Sequence, residues 1–205
     1  MTEGYSVVIG IDPGFGGTGV GLLIDGKLYA YDNVKPSAAK DARYAEVASK
    51  CARIVLNWIS DIMTTVLTRG ETYIATVDVV VESPHAMGGA AGHASLMRGD
   101  VFTVAKLAGS IGTLLNVYIT NMLESDEYGD VLHDHPARKH TKINVHYPEV
   151  RTWKGQVSKE TTKRRVLRDV KYALEFIKDK HYKLKDSHPD HIYDAVGLAM
   201  WFATM

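Results

Sequence analysis

Three stretches of this chain carry side chains able to do chemistry, and each places acids where the backbone changes direction. The apolar run Val7-Val8-Ile9-Gly10-Ile11 delivers one carboxylate, Asp12, to its end, and Pro13-Gly14 then turns the chain. The β-branched run over residues 74–81 does the same with Glu82, before Ser83-Pro84. Near the end, His191 and Asp194 stand three residues apart and Asp190 and Asp194 four apart, so either pair shares one helix face. A carboxylate held at a strand end can position a cation or a phosphate. The same residues also suit plainer work: a turn aspartate closes its own loop, and acids in a first helical turn meet the positive end of the helix dipole.

If the strands ending at Asp12 and Glu82 are neighbours, their acids meet at one sheet edge, and the last helix can lay its ligands against them. Three or four hard ligands dominated by oxygen suit Mg2+, with Mn2+ as a substitute, and not zinc. Acids crowded in this way repel unless cations neutralise them, which raises their pKa values. Two such ions roughly 4 Å apart can clamp a phosphodiester, one activating water and the other stabilising the leaving oxygen.

The rest of the chain must hold these groups. Its 205 residues, 45% hydrophobic and 23% charged, read as one domain over 1–205. Lysine plus arginine equals aspartate plus glutamate at 24 each, so only local clustering can argue for a nucleic-acid partner. The lone Cys51 excludes an internal disulfide and fits a reducing compartment. With no signal-peptide pattern and no run near the roughly 20 apolar residues of a membrane span, a cytoplasmic protein without a membrane partner is expected.

Residues 5–12, 18–24 and 27–33 predict three strands, the last two joined by an Asp25-Gly26 hairpin turn. Apolar spacing predicts a helix over 41–67 and another over 94–123, the latter either continuous or stopping near Asn116 with Val117–Thr120 extended. Gly109 and Gly112 in it read as places where another element approaches closely. The run 74–82 reads as a central strand, and 143–147 as a further strand. Residues 85–92 form a loop of small residues, and 124–141 a surface insertion with five acids and three histidines. Ser158 caps a helix with the stripe Val166, Val170, Ala173, Leu174 and Ile177. Between Arg151 and Lys171 stand eight basic residues against Glu160 and Asp169, and Trp153-Lys154 adds a stacking group and a phosphate contact beside them. Pro189 suits the first turn of the last helix, with Ser187 or His188 as cap.

The Ile-Asp-Pro-Gly of 11–14, the apolar strand ending at Glu82 and the His-x-x-Asp-Ala of 191–195 resemble, in that order, the motifs of the RuvC-type Holliday junction resolvases of the ribonuclease H-like superfamily. The resemblance spans nearly the whole chain. It implies an α/β fold with a ribonuclease H-like mixed five-stranded sheet, three antiparallel strands then two parallel, flanked by helices. It also implies a homodimeric, Mg2+-dependent endonuclease that uses two ions to cut four-way or other branched DNA, leaving 5′-phosphate and 3′-hydroxyl ends. Asp12, Glu82 and Asp194 then fall on the family's metal-binding acids, His191 on a position held by Asp or His, and Asp190 beside them as a further ligand or a support. The scissile strand is assigned to Trp153, Lys154, Lys159, Lys163 and Arg164. Where bacterial members carry an aromatic wedge, the loop after Glu82 offers His85 and Met87 and no phenylalanine. The 124–141 insertion and Trp153-Lys154-Gly155 look more like phage-encoded members, which places the protein in the cytoplasm of a bacterium or an infected host. A nuclease acting on RNA hybrids, flaps or forks, an actin-like ATPase lobe built on Asp12–Thr18, and a DNA-binding module without catalysis are the competing readings.

Overall fold

Alternation along two strands decides the architecture. In the computed structural model, Val7, Ile9 and Ile11 are fully buried on one side of the first strand, while Val8, Gly10 and Asp12 face the other. The structure describes residues 4–14, 16–36, 43–69, 74–84, 100–124, 141–155, 157–173 and 183–205. Their elements run β1 (Tyr5–Asp12), β2 (Thr18–Ile24), β3 (Lys27–Val34), α1 (Arg43–Arg69), β4 (Ile74–Val81), α2 (Asp100–Glu124), β5 (Lys142–His146), α3 (Val150–Trp153), α4 (Lys159–Asp169) and α5 (Asp190–Phe202).

The strands form one sheet in the order β3-β2-β1-β4-β5. β1, β2 and β3 are antiparallel neighbours, and β4 and β5 run parallel to β1. The sheet expected from the sequence, three antiparallel strands followed by two parallel ones between helices, is therefore the one adopted. Asp25 and Gly26 take positive φ values of 47° and 72°, as their hairpin turn requires. The parallel register pairs Ile11 with Val81, so Asp12 and Glu82 follow side by side, and the Glu82 amide donates to the Ile11 carbonyl at 2.9 Å.

Helices α1 and α2 cover one face, packing Val47, Cys51, Val55, Ile59, Leu107, Ile111 and Leu115 against the odd-numbered residues of β1 and β4. Helix α5 covers the other face, with α4 packed against it. Its approach depends on missing side chains. A Cβ at Gly10 would lie 2.1 Å from the Ala195 carbonyl oxygen, one at Gly19 would lie 1.9 Å from that of His191, and one at Gly21 would lie 2.7 Å from a Val196 methyl. The three glycines form a floor on β1 and β2 that lets the helix backbone lie almost on the sheet.

Of the two alternatives for helix α2 the continuous one holds, since it runs through Val117–Thr120 to Glu124. Among the described helices it is also long and apolar enough to cross a membrane by length and composition, over Val101–Met122 with mean hydropathy 1.3. Lysine, glycine, threonine and asparagine interrupt this stretch, so it is not an unbroken apolar run. Leu107, Ala108, Ile111, Leu115 and Ile119 pack one side of it into the core, while Phe102, Val117 and Tyr118 on it are exposed. Helix α4 ends at Asp169, short of the expected stripe, and Val170 is already extended. The chain instead pairs with the edge of β3: the Leu28 amide donates to the Lys171 carbonyl at 2.7 Å, and the Ala173 amide to the Leu28 carbonyl at 2.9 Å. Capping an exposed strand edge outweighs continued helix here. Leu174, Ile177, the 85–92 loop and nearly all of the 124–141 insertion lie outside the described residues. Ser158 caps α4 as expected, accepting from the Thr161 amide at 3.2 Å. Pro189, and neither Ser187 nor His188, occupies the cap position of α5, and α3 is an added single turn.

Gly112 meets the expectation of close approach, since a Cβ there would lie 2.1 Å from the Tyr147 hydroxyl, whereas one at Gly109 would meet nothing within 4 Å. Gly109→Ala should therefore raise unfolding free energy by about 0.5–1 kcal/mol through its helix propensity. Gly10→Ala should lower it by about 3 kcal/mol, because the added methyl meets helix backbone that cannot step aside. Urea denaturation midpoints of the two variants check both signs.

Candidate functional site

Asp12 lies on the α5 face of β1, one residue beyond the last apolar pair of the parallel ladder, and Glu82 stands beside it at the end of β4. Asp194 occupies the second turn of α5, and His191 the first. Because α5 lies directly over Gly10, Gly19 and Gly21, its inner face brings both residues to the sheet edge. The His191 Nδ1–H donates to Asp12 Oδ2 at 2.6 Å, across 179 residues of sequence. With Nδ1 committed to the carboxylate, Nε2 is the ring atom left for a ligand, an arrangement common among metal-binding histidines.

A second layer comes from the turn after β5. The Trp153 indole Nε1–H donates to Glu82 Oε2 at 3.0 Å, and the Lys154 ammonium forms an ion pair with Asp194 Oδ1. Both partners of that ion pair are nearly buried, at 9% and 7% side-chain exposure, so water screens it little. Gly155 follows at φ 62°, a left-handed conformation that turns the chain away immediately after the lysine. All four site residues line one cleft of about 560 Å3, together with Arg151, Lys154 and Lys159.

The electrostatics follow from the crowding. Burial, with Asp12 and Asp194 adding repulsion, pushes the Glu82 carboxyl up to about 8, against the opposing pull of Lys154 and the indole hydrogen bond. Burial also raises Asp194, although Lys154 works in the opposite direction. The hydrogen bond to Asp12 lifts His191 above the ordinary imidazole value, with burial opposing. Three carboxylates and an imidazole in one cleft, with Glu82 held protonated at neutral pH, are a donor set suited to a hard divalent cation. As the side chains stand, each acid is turned to its own partner, and among the described residues no three His, Cys, Asp or Glu side chains form a group ready to hold an ion.

The structure thus brings Asp12, Glu82, His191 and Asp194 together. Asp190, the first residue of α5, is exposed and does not line the cleft. Of the residues expected to grip a nucleic-acid strand, Lys154 and Lys159 line the cleft. Trp153 bonds Glu82 and offers its ring face to Lys154, whose ammonium lies 5.4 Å from the ring centroid. Lys163 turns instead toward Asp186, at 2.9 Å, and over the Tyr193 ring. Arg164 pairs with Glu160 at 3.1 Å on the exposed side of α4. His85 and Met87 lie outside the described residues. Arg151 is a cleft residue that the sequence reading counted only as part of a basic run. Its place two residues before Trp153 was the available signal.

The raised Glu82 carboxyl has a pH signature. Between the ordinary value of 4.5 and about 8, the folded protein retains a proton that the unfolded chain has released, so this group lowers stability as pH rises through that window. Glu82→Gln removes the effect while keeping an acceptor for Trp153. In the absence of divalent cations, the variant should melt roughly 10 °C above the parent at pH 8.5 and at the same temperature at pH 4. Thermal melts at the two pH values test it.

Comparison with solved structures finds similarity across 96% of the chain in each of three cases. The structure titled T. thermophilus RuvC in complex with Holliday junction substrate shares 18% identity, with 92% of that chain covered and a TM-score of 0.46. A Thermus thermophilus RuvC structure shares 16%, with 93% covered and a TM-score of 0.44. The yeast mitochondrial Holliday junction resolvase Ydc2 shares 9%, with 77% covered and a TM-score of 0.40. No protein-family model and no curated protein sequence matches the chain.

Proposed function

We propose that this protein is a divalent-cation-dependent endonuclease that cuts four-way (Holliday) or similarly branched DNA, leaving 5′-phosphate and 3′-hydroxyl ends. The observation that carries this reading is the cleft itself: two carboxylates at adjacent strand ends and one on α5 share its lining with Arg151, Lys154 and Lys159. Such a cleft suits a linkage that is anionic and whose hydrolysis develops further charge. Asp12, Glu82, Asp194 and His191 would hold Mg2+ or Mn2+, and the ions when bound supply an activated water and stabilise the leaving oxygen.

The chain's own residues do the rest. The basic residues of the lining receive the phosphates, Asp12 fixes the His191 ring, and Trp153 fixes the Glu82 carboxylate by its indole hydrogen bond. Branched DNA is preferred as substrate because Ile11–Gly14, the strand ending at Glu82 and His191–Ala195 resemble RuvC-type motifs in the same order. A junction with two-fold symmetry is matched by a two-fold dimer, which would give paired nicks.

Asp12→Asn and Asp194→Asn should each lower the Mg2+-dependent cleavage rate by about 10^2- to 10^3-fold, since the amide keeps the shape and loses the charge. Junction binding at low salt should persist. Lys159→Ala should reduce the slope of log affinity against log salt by about one unit, the release expected for one phosphate contact. The deciding assay offers one preparation a four-way junction, a flap and an RNA–DNA hybrid, with Mg2+ and with Ca2+. Symmetrically paired nicks in the junction support the proposal. Cutting of the hybrid alone would replace it with a ribonuclease reading, and no cleavage with undiminished binding would leave a DNA-binding module.

A further inference from the structure

Three acids crowd the cleft, and each is turned toward a separate partner: Asp12 to His191, Glu82 to Trp153 and Asp194 to Lys154. The partner of Asp194 differs from the other two in kind, because it is a full positive charge on a flexible stem. Lysine presents a compact point charge, the side chain nearest in character to a simple cation. Here it is removed from solvent, with Asp194 on one side and the Trp153 ring face on the other.

The two residues are anchored unequally. Trp153 packs half-buried against the apolar cluster that includes α5, and where a Cβ on Gly197 would lie its ring is 3.3 Å away and a Val166 methyl 3.1 Å away. Lys154 follows α3, has Gly155 immediately behind it, and reaches Asp194 on a flexible four-carbon stem.

Resting on the metal-dependent reading above, we propose that Lys154 is a tethered stand-in cation. Its ammonium holds the place at Asp194 that a divalent ion takes, so ion entry there is an exchange of one charge for another. The acids of a cation-free cleft are then already partly neutralised, and Lys154 is a positioning residue that sets how tightly the cleft binds ions. Asp194 can join an ion-binding group only after Lys154 leaves it.

The test is Mn2+ titration of the whole protein without DNA, followed by electron paramagnetic resonance of the free ion. Lys154→Met, which keeps the stem and loses the charge, should bind Mn2+ about tenfold or more tightly than the parent, and Lys154→Arg should bind no more tightly than the parent. Binding to the parent that is unchanged or weakened in Lys154→Met overturns this inference and leaves the metal-dependent reading standing. Absence of Mn2+ binding from parent and variant alike removes both. Should Lys154→Met fail to fold, the 15N-labelled parent decides. The protected ammonium signal of Lys154 should disappear as Ca2+ saturates the protein, and its persistence at saturation overturns the proposal.

Discussion

At Gly19 there is no room for a side chain, since a methyl carbon there would lie 1.9 Å from the His191 carbonyl oxygen. That contact between a strand and a helix backbone is the constraint on which the site depends. It sets the height of α5 above the sheet, and that height determines whether His191 can reach Asp12 at 2.6 Å. A helix seated on larger residues would keep its hydrophobic packing and still hold Asp194 and His191 several ångströms from the strand ends. The glycines at 10, 19 and 21 therefore act through what they leave out.

Close seating creates an electrostatic difficulty that the surrounding turn answers. Bringing Asp194 beside Asp12 and Glu82 concentrates negative charge where burial already disfavours it, and the Glu82 carboxyl climbs to about 8 as a result. Lys154, paired with Asp194, returns positive charge to the same cleft, and the bond to Asp12 makes His191 easier to protonate. The indole of Trp153 supplies a dipole in place of a charge, so Glu82 keeps its proton at neutral pH. A divalent cation entering the cleft would have to displace that proton at Glu82 and the ammonium at Asp194. The cleft thus has an electrostatic order before any ion enters.

Much of this was legible in the sequence because the signals were local. Strand ends marked by Asp12-Pro13 and Glu82-Ser83-Pro84, the Asp25-Gly26 hairpin and the Ser158 cap each read correctly from a few residues. The helical spacing of His191 and Asp194 gave their shared face without knowledge of what lay beneath it. What escaped depends on partners distant in the chain. The stripe Val166, Val170, Ala173 has helical spacing, but beyond Asp169 the edge of β3 competes for the backbone and wins. The eight basic residues between Arg151 and Lys171 looked like one patch. In three dimensions Arg151, Lys154 and Lys159 line the cleft, whereas Lys163 and Arg164 are held elsewhere by Asp186 and Glu160. The glycines of β1 and β2 carried a readable signal, an unusual density of missing side chains at alternate positions, which becomes meaningful only when a helix is laid across them.

The two faces of the sheet divide the work, and this division lets a repulsive site persist. Val7, Ile9 and Ile11 on β1 and Val77, Val79 and Val81 on β4 are all fully buried against α1 and α2. Each such side chain contributes about 1.5–3 kcal/mol by leaving water. Against that sum, the raised Glu82 carboxyl costs on the order of a few kcal/mol at neutral pH. Because side chains alternate, the register that buries these valines and isoleucines is the same one that points Asp12 toward α5. A slip of one residue would bury Asp12 in the apolar core and expose Ile11. The core therefore fixes where the acids stand, and the acids need no attraction of their own to stay together.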